Sequence, residues 1–300
     1  MAKEIDNYLQ YIRLELNLSP HTVTAYQGDL TQWEAFLTSN GKRQLQVETV
    51  TASDIRAWML DLSNHGDGAR TMRRKVQAVR SFYKWLMRTG MVAENPASSV
   101  ELARVPKRLP QLVRGESIDL YLDSEINEDD FEQVRNRLIV MMLYETGMRR
   151  AELVDLLDRN VDTVKSELKV HGKRDKDRII PFGTELAENI ERYRTLREQV
   201  AQGSEHFFVL ESGKPLYPML VYRVVRQALG EVGVTSKRSP HVLRHSFASA
   251  MLNDGATINS VKELLGHESL ATTQIYTHVT FSELKNNYKL AHPRALNKGG

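Results

Sequence analysis

The sequence predicts a mainly helical protein with one small β-sheet, an α+β fold in two domains. Three observations carry that expectation. The first ninety residues hold four apolar stripes at helical spacing. A basic stretch punctuated by Asn95-Pro96, Pro106 and Pro110 then breaks the pattern, because proline neither continues a helix nor favours one just before it. Helical stripes resume beyond it, around one segment that reads as a β-hairpin. The expected division is a helical domain over 1–89, a linker over 90–108 and a second domain over 109–296.

The first stripe is Ile5, Leu9, Ile12 and Leu16. Ser19-Pro20 is a cap followed by a proline at the first helical position, and Val23, Tyr26, Leu30, Trp33 and Leu37 follow it. Thr51 with Asp54 has the spacing of a capping box before Ile55, Trp58 and Leu62. The fourth helix is expected from about Ala69 to Arg88, with Met72, Val76, Val79, Tyr83 and Leu86 inward. Between Arg70 and Arg88 it carries seven cations and no acid. All but Lys75 fall opposite the apolar stripe: Arg70, Arg73, Arg74, Arg80, Lys84 and Arg88. A merely solvated face usually mixes both signs, whereas a single-signed face suits a DNA backbone.

In the second half, Phe131–Tyr144 is apolar enough to be a buried helix, and another starts after Gly147. Strands are expected at 168–171 and 178–182 around Gly172, with a third at 207–210. Leu220, Val224, Ala228 and Val232 mark a further helix. Ser239-Pro240 repeats the cap-plus-proline signal, so His241 and Arg244 lie three apart at a helix N-terminus, where free N–H groups favour an anion. Thr257 caps the next helix, whose stripe is Ile258, Val261, Leu264 and Leu265 and whose end is Gly266. His267 follows in the connection, and Ser269 caps a short segment carrying Tyr276. A last helix near 282–291 presents Leu284 and Tyr288 on one face; it is too short to stand alone and must pack on this chain or on a neighbour.

Composition narrows the function. The chain of 300 residues is 41% hydrophobic and 26% charged, as a soluble globular protein is. No apolar run reaches the roughly 18 residues of a membrane span, and the first residues lack the apolar core of a secretion signal, so a cytoplasmic protein without membrane partners is expected. Cysteine is absent, which excludes disulfides, thiolate zinc sites and cysteine nucleophiles. A net charge of +3 permits nucleic acid without demanding it, so the distribution of charge matters more.

Metal-free phosphodiester cleavage needs a nucleophile, cations on the non-bridging oxygens and an acid for the leaving oxygen. A tyrosine can attack, two arginines can clamp the phosphoryl oxygens, and a lysine can protonate the leaving group. The chain offers Arg149, Lys173, His241, Arg244, His267 and Tyr276 for these tasks. Taken singly, each has a plainer reading: Tyr276 as core, Arg149 as a salt bridge, Lys173 as a solvated turn, His267 as a helix-end donor. His241 and His245 stand four apart, as zinc ligands can, without an evident third. No carboxylate cluster or calcium loop asks for a metal, and no cofactor is expected. Spacing alone supports a DNA-binding protein with a phosphate site.

The stretches TGMRRAEL, HGKRDKDR, HVLRH and LGHESLATTQIYTHV, in that order, resemble the motif series of the tyrosine recombinases of the phage-integrase family, and most closely its Xer branch. SPHTVTAYQGDL and NPA near the start and AHPRA at the end extend the resemblance over nearly the whole chain. It implies a SAM-like, core-binding helical domain and a catalytic domain closing as a C-shaped clamp on double-stranded DNA. Tyr276 would form a 3′-phosphotyrosine and release a 5′-hydroxyl. Arg149 and Arg244 would bind the non-bridging oxygens, Lys173 act as the acid, His241 assist proton transfer and His267 hydrogen-bond the phosphate. Glu152 matches an acidic supporting position. A tetramer would work through a Holliday junction, with Leu284 and Tyr288 docking on the neighbouring protomer. The Xer branch further implies resolution of chromosome dimers at a dif-like site, with a second recombinase and a DNA translocase as partners. A mobile-element integrase and a non-catalytic DNA-binding protein on this fold are the alternatives. Arg174-Asp175 replaces the Gly-Asn common after the hairpin lysine.

Overall fold

The computed structural model describes residues 1–40, 46–102, 112–172, 177–201 and 203–266, with 288, 291 and 294 near the end. The chain divides into two compact units, Met1–Arg108 and Leu109–Gly300.

In the first unit, four helices form where the stripes and caps place them: α1 (Ala2–Leu14), α2 (Pro20–Ser39), α3 (Ala52–Asn64) and α4 (Ala69–Arg88). Ser19 Oγ accepts the Thr22 N–H at the start of α2. Thr51 and Asp54 exchange both bonds of a capping box at the start of α3. Trp33 and Trp58 meet at 5.0 Å between ring centroids, completely buried with Val76, Val79 and Phe82 of α4. Leu16 departs from its expected stripe: α1 stops at Leu14, and Leu16 is exposed. The first part of the expected linker belongs to this unit. Ala97 and Val100 enter its core, and Arg80 holds their carbonyls at 3.0–3.1 Å.

The second unit is built on α6 (Phe131–Thr146), buried on nearly every side, with α5 (Gly115–Leu122) before it. Around α6 pack α8 (Thr184–Val200), α9 (Pro218–Glu231) and α10 (Pro240–Asn253), and α7 (Arg150–Val154) follows it directly. Helix α11 (Ile258–Leu265) packs on α10 and on the sheet. That sheet is an antiparallel meander of β1 (Val161–Asp162), β2 (Glu167–His171) and β3 (Asp177–Pro181). Leu168 pairs with Ile180 and Val170 with Arg178, so Leu168, Val170 and Ile180 face the core.

The third strand is therefore Val161–Asp162, and the expected strand at 207–210 is absent. Phe207, Phe208 and Val209 are buried, but their backbone makes only isolated bridges and local bonds: the Val209 N–H donates to Tyr193 Oη at 3.1 Å. Aromatic packing on Tyr193, rather than a ladder, holds this segment. Helices α5 and α8 are further elements of the unit. Leu186, Ile190, Tyr193 and Arg197 are the buried stripe of α8. Among the described residues no helix is long and apolar enough to cross a membrane.

Candidate active site

The site begins where α6 ends. Gly147 closes that helix in the left-handed region, at φ 59°. A Cβ here would fall into the Phe247 ring and 2.8 Å from Leu265, so α6 meets α10 and α11 through bare backbone. Two residues on, Arg149 is the extended residue preceding α7. Its N–H donates to Glu152 Oε2, and its Nη1 donates to Glu152 Oε1, both at 2.7 Å.

Arg178, on β3, reaches the same carboxylate from the sheet. Its Nη1 and Nη2 donate to Glu152 Oε1 and Oε2, each at 2.8 Å. Nothing in the sequence reading singled out Arg178; the contact spans 26 positions, and only the pairing of the strands brings it in.

The remaining bonds converge on the end of α11. Arg178 Nε donates to the Leu264 carbonyl at 2.7 Å, Arg244 Nη2 to Leu265 at 2.6 Å and Arg149 Nη2 to Gly266 at 2.8 Å. Arg244 Nη1 also takes the Gly147 carbonyl at 2.6 Å. Three consecutive carbonyls thus receive three different arginines. These carbonyls lie at the negative end of the helix dipole, so guanidinium donors suit them.

Charge is unbalanced here. Among the described residues, Arg149, Arg178 and Arg244 stand against the single carboxylate of Glu152, a net two positive charges. Burial works to raise the Glu152 carboxyl, but hydrogen bonds and charge from Arg178, then Arg149, hold it at about 2. Burial, and then repulsion from Arg149, bring Arg244 down to about 10, so it stays cationic at neutral pH. Arg149 and Arg244 each hold N–H groups beyond those used, because a guanidinium has five. Cations gathered in this way can receive an oxyanion such as a phosphate.

His241 lies exposed in the first turn of α10, while Arg244, one turn on, is buried. Partial desolvation of the ring, then the charge of Arg150, with smaller contributions from His245 when protonated and from Lys237, pushes the His241 imidazole below its usual range. Ser239 precedes the helix as expected, yet its Oγ makes no capping bond and is buried without a partner among the described residues. Ile258 departs from its stripe and is exposed at the start of α11, whereas Thr257 and Gly266 cap that helix as read. Lys173, His267, Tyr276 and Leu284 lie outside the described residues. Tyr288, expected to dock on a neighbouring protomer, is fully buried in the core of its own unit in the single chain. Among the described residues no three His, Asp or Glu side chains are grouped as metal ligands, His241 and His245 included.

The basic face of α4 divides in two. Arg80 is half-buried on the Ala97 and Val100 carbonyls, Arg74 pairs with the buried Asp29, and Arg88 bonds Tyr11 Oη and covers its ring at 5.5 Å. Those three side chains, expected at DNA, thus have partners within the unit; Arg74 and Arg88 stay exposed besides. Arg70, Arg73 and Lys84 are exposed without an ion pair among the described residues. Lys75, set apart by its angle on the helix, is buried on Gln32 and Asp67 at 2.6 Å.

Comparison with known proteins shows the family and the fold. The Phage integrase family matches residues 121–283, and the Phage integrase N-terminal SAM-like domain matches 5–90. Tyrosine recombinase XerC of Chlorobaculum parvum is 39% identical, over 97% of this chain and 94% of its own. Tyrosine recombinase XerC of Lacticaseibacillus casei is 37% identical, over 97% and 99%. In fold, the chain is similar to the XerH site-specific recombinase bound to palindromic difH substrate in a post-cleavage complex. That likeness has a TM-score of 0.70 at 20% identity and covers 97% of this chain and 84% of that one. The chain belongs to the phage-integrase family of tyrosine recombinases, and within it to the Xer-type site-specific DNA recombinases.

Proposed function

We propose that Arg149 and Arg244 clamp the scissile phosphate and that Tyr276 attacks it. The Tyr276 oxygen bonds to phosphorus, the bond to the 5′ oxygen breaks, and a 3′-phosphotyrosine remains. Lys173 protonates the leaving 5′ oxygen. His241, kept neutral near pH 7 by its surroundings, accepts the tyrosine proton, and His267 donates a hydrogen bond to the phosphate. The freed 5′-hydroxyl of the partner strand then attacks the phosphotyrosine and restores both the DNA and the tyrosine. Bond energy is conserved throughout, so neither nucleotide nor metal is required. The observation that carries this reading is the pair of guanidiniums on adjacent carbonyls at the end of α11, one residue before His267 and ten before Tyr276 in the sequence.

On this reading the enzyme acts as a tetramer on two DNA sites through a Holliday junction, and the sites are dif-like. Its task is the resolution of chromosome dimers for segregation at cell division, with a second Xer recombinase and a DNA translocase as partners. The XerC relatives support that assignment over a mobile-element integrase.

The test is a covalent trap in EDTA on fragmented genomic DNA from the source organism, using wild type and Tyr276→Phe. Wild type should yield protein-linked DNA at one short site. The variant should bind DNA yet lose linkage on the order of a thousandfold or more. A site near the replication terminus supports dimer resolution, and one at an element boundary transfers the reading to integration. Wild type that stays unlinked even on nicked substrates with a partner recombinase leaves only DNA binding.

A further inference from the structure

Arg149, just before α7, and Arg244, on α10, come from different elements, yet both must present N–H groups to one phosphate. Their shared reference is the end of α11, and Arg178 joins that end to Glu152. Glu152 accepts four hydrogen bonds, two from Arg149 and two from Arg178. Its acceptor capacity is therefore full. The third arm of Arg178 is the bond from Nε to Leu264. Its side chain is only 12% exposed, too enclosed to serve as a surface phosphate contact. Gly266 leaves room for it: a Cβ there would lie 3.2–3.4 Å from the Arg178 side chain. Arg178 also sits on β3, five residues after Lys173 in the sequence.

Resting on the phosphate reading above, we propose that Arg178 is a positioning residue for strand cleavage, a brace that holds Glu152, Arg149 and the end of α11 in one arrangement. The physical reason is competition. A carboxylate facing Arg149 alone would draw that guanidinium to itself and away from a phosphate. Shared between two guanidiniums, it still orients Arg149 but holds it less strongly. The Leu264 bond fixes the height of α11, and with it the carbonyls on which Arg244 and Arg149 rest. Lysine cannot replace this brace, since one ammonium cannot meet two carboxylate oxygens and a carbonyl in the same fork.

Among the described residues, the charged groups facing Glu152 are Arg149 at the start of α7, Arg178 on β3 and Arg244 on α10. Removing Arg178 leaves burial opposed by less positive charge, so Glu152 should gain its proton at a higher pH. The experiment uses the full chain as wild type, Arg178→Gln, Arg178→Lys, Glu152→Gln and the double variant Arg178→Gln with Glu152→Gln. Carboxyl carbon NMR on glutamate-labelled protein, without DNA, follows Glu152, assigned by its loss in Glu152→Gln. Adduct formation on the fragmented genomic DNA gives the rate.

Arg178→Gln should move the Glu152 titration up by at least one pH unit. Cleavage should fall roughly a hundredfold with DNA affinity held within a few-fold, and an acid limb absent from wild type should appear below neutrality. Arg178→Lys should fall between the two. In the Glu152→Gln background the further loss on removing Arg178 should shrink to less than tenfold, as expected of residues that act through one another. An unmoved Glu152 titration overturns the proposal whether or not DNA is cleaved. So does an equal loss in both backgrounds, which marks Arg178 as a folding residue. Arg149→Ala tests the parent reading separately: normal cleavage in that variant removes the phosphate role of Arg149 and leaves the titration result for Arg178 standing.

Discussion

Two buried glutamates of the second unit, seven positions apart, show how neighbours decide a charge. Glu152 faces guanidiniums and ionises at about 2. Glu145, on α6, is fully buried; burial first, then Glu185, pushes its carboxyl up to about 8. The linkage signs are opposite. Glu152 has a folded pKa below its unfolded value of 4.5, so its contribution is full above about 4.5 and is lost as pH falls toward 2. Glu145 binds its proton more tightly when folded, so it costs stability as pH rises from about 4.5 toward 8. Glu152→Gln should destabilise the second unit at pH 7 by about 3 kcal/mol, lowering its melting temperature by about 6–12 °C. Glu145→Gln should stabilise it, more at pH 8 than at pH 5. Thermal melts of both variants across pH check this, and parallel pH profiles would refute the contrast.

At the scale of elements, helix α4 presents one row of cations with two uses. Arg70, Arg73 and Lys84 are exposed without an ion pair among the described residues; on the DNA-binding reading, each change to Ala should weaken DNA binding similarly on all sequences. Each should also reduce the slope of log affinity against log salt by about 1. Arg80→Ala should leave that slope unchanged and cost the first unit about 1–3 kcal/mol in urea unfolding, because the carbonyls of Ala97 and Val100 lose three donated bonds. Equal slope changes at Arg80 and Arg73 would undo the division. The same helix shows what a sequence carries. Its range, its inward stripe and the odd position of Lys75 follow from local periodicity, as do the Thr51–Asp54 box and the Gly266 stop. Which cations are occupied does not, since Asp29, Tyr11 and Ala97 reach α4 from other segments. For the same reason Arg149, Glu152 and Arg244 were legible from spacing and motif, whereas Arg178 depended on the register of β2 and β3. The segment at 207–210 misled because a short apolar run suits a strand and a buried loop equally.

For the whole molecule, the question is what its C-terminal residues hold. Tyr288 and Ala291 are buried in the second unit. Arg294 donates to Asp119 of α5 and to Asp123, the residue after that helix, at 3.0 Å, and to Glu185 of α8 at 3.1 Å. These positions recur at three-residue steps, as one helical face does, and join two helices otherwise linked through α6. Docking on a neighbour through Tyr288 would first require this ring to leave its own core. Exposing it costs about 1.5–3 kcal/mol of apolar burial, before the ion pairs of Arg294 are counted. A tail seated in its own chain stabilises each protomer by an amount independent of protein concentration, whereas a tail exchanged between chains gains with concentration. Arg294→Ala should therefore lower the melting temperature of the second unit by about 6–12 °C, for a loss of about 3 kcal/mol. That shift should be the same from micromolar to hundred-micromolar protein without DNA. Wild type that melts higher as concentration rises, with the variant losing that rise, would mean that the tail already exchanges between free protomers. A constant shift makes exchange, where it occurs, a consequence of assembly on DNA, because only there would a neighbour's contacts be available to offset the release.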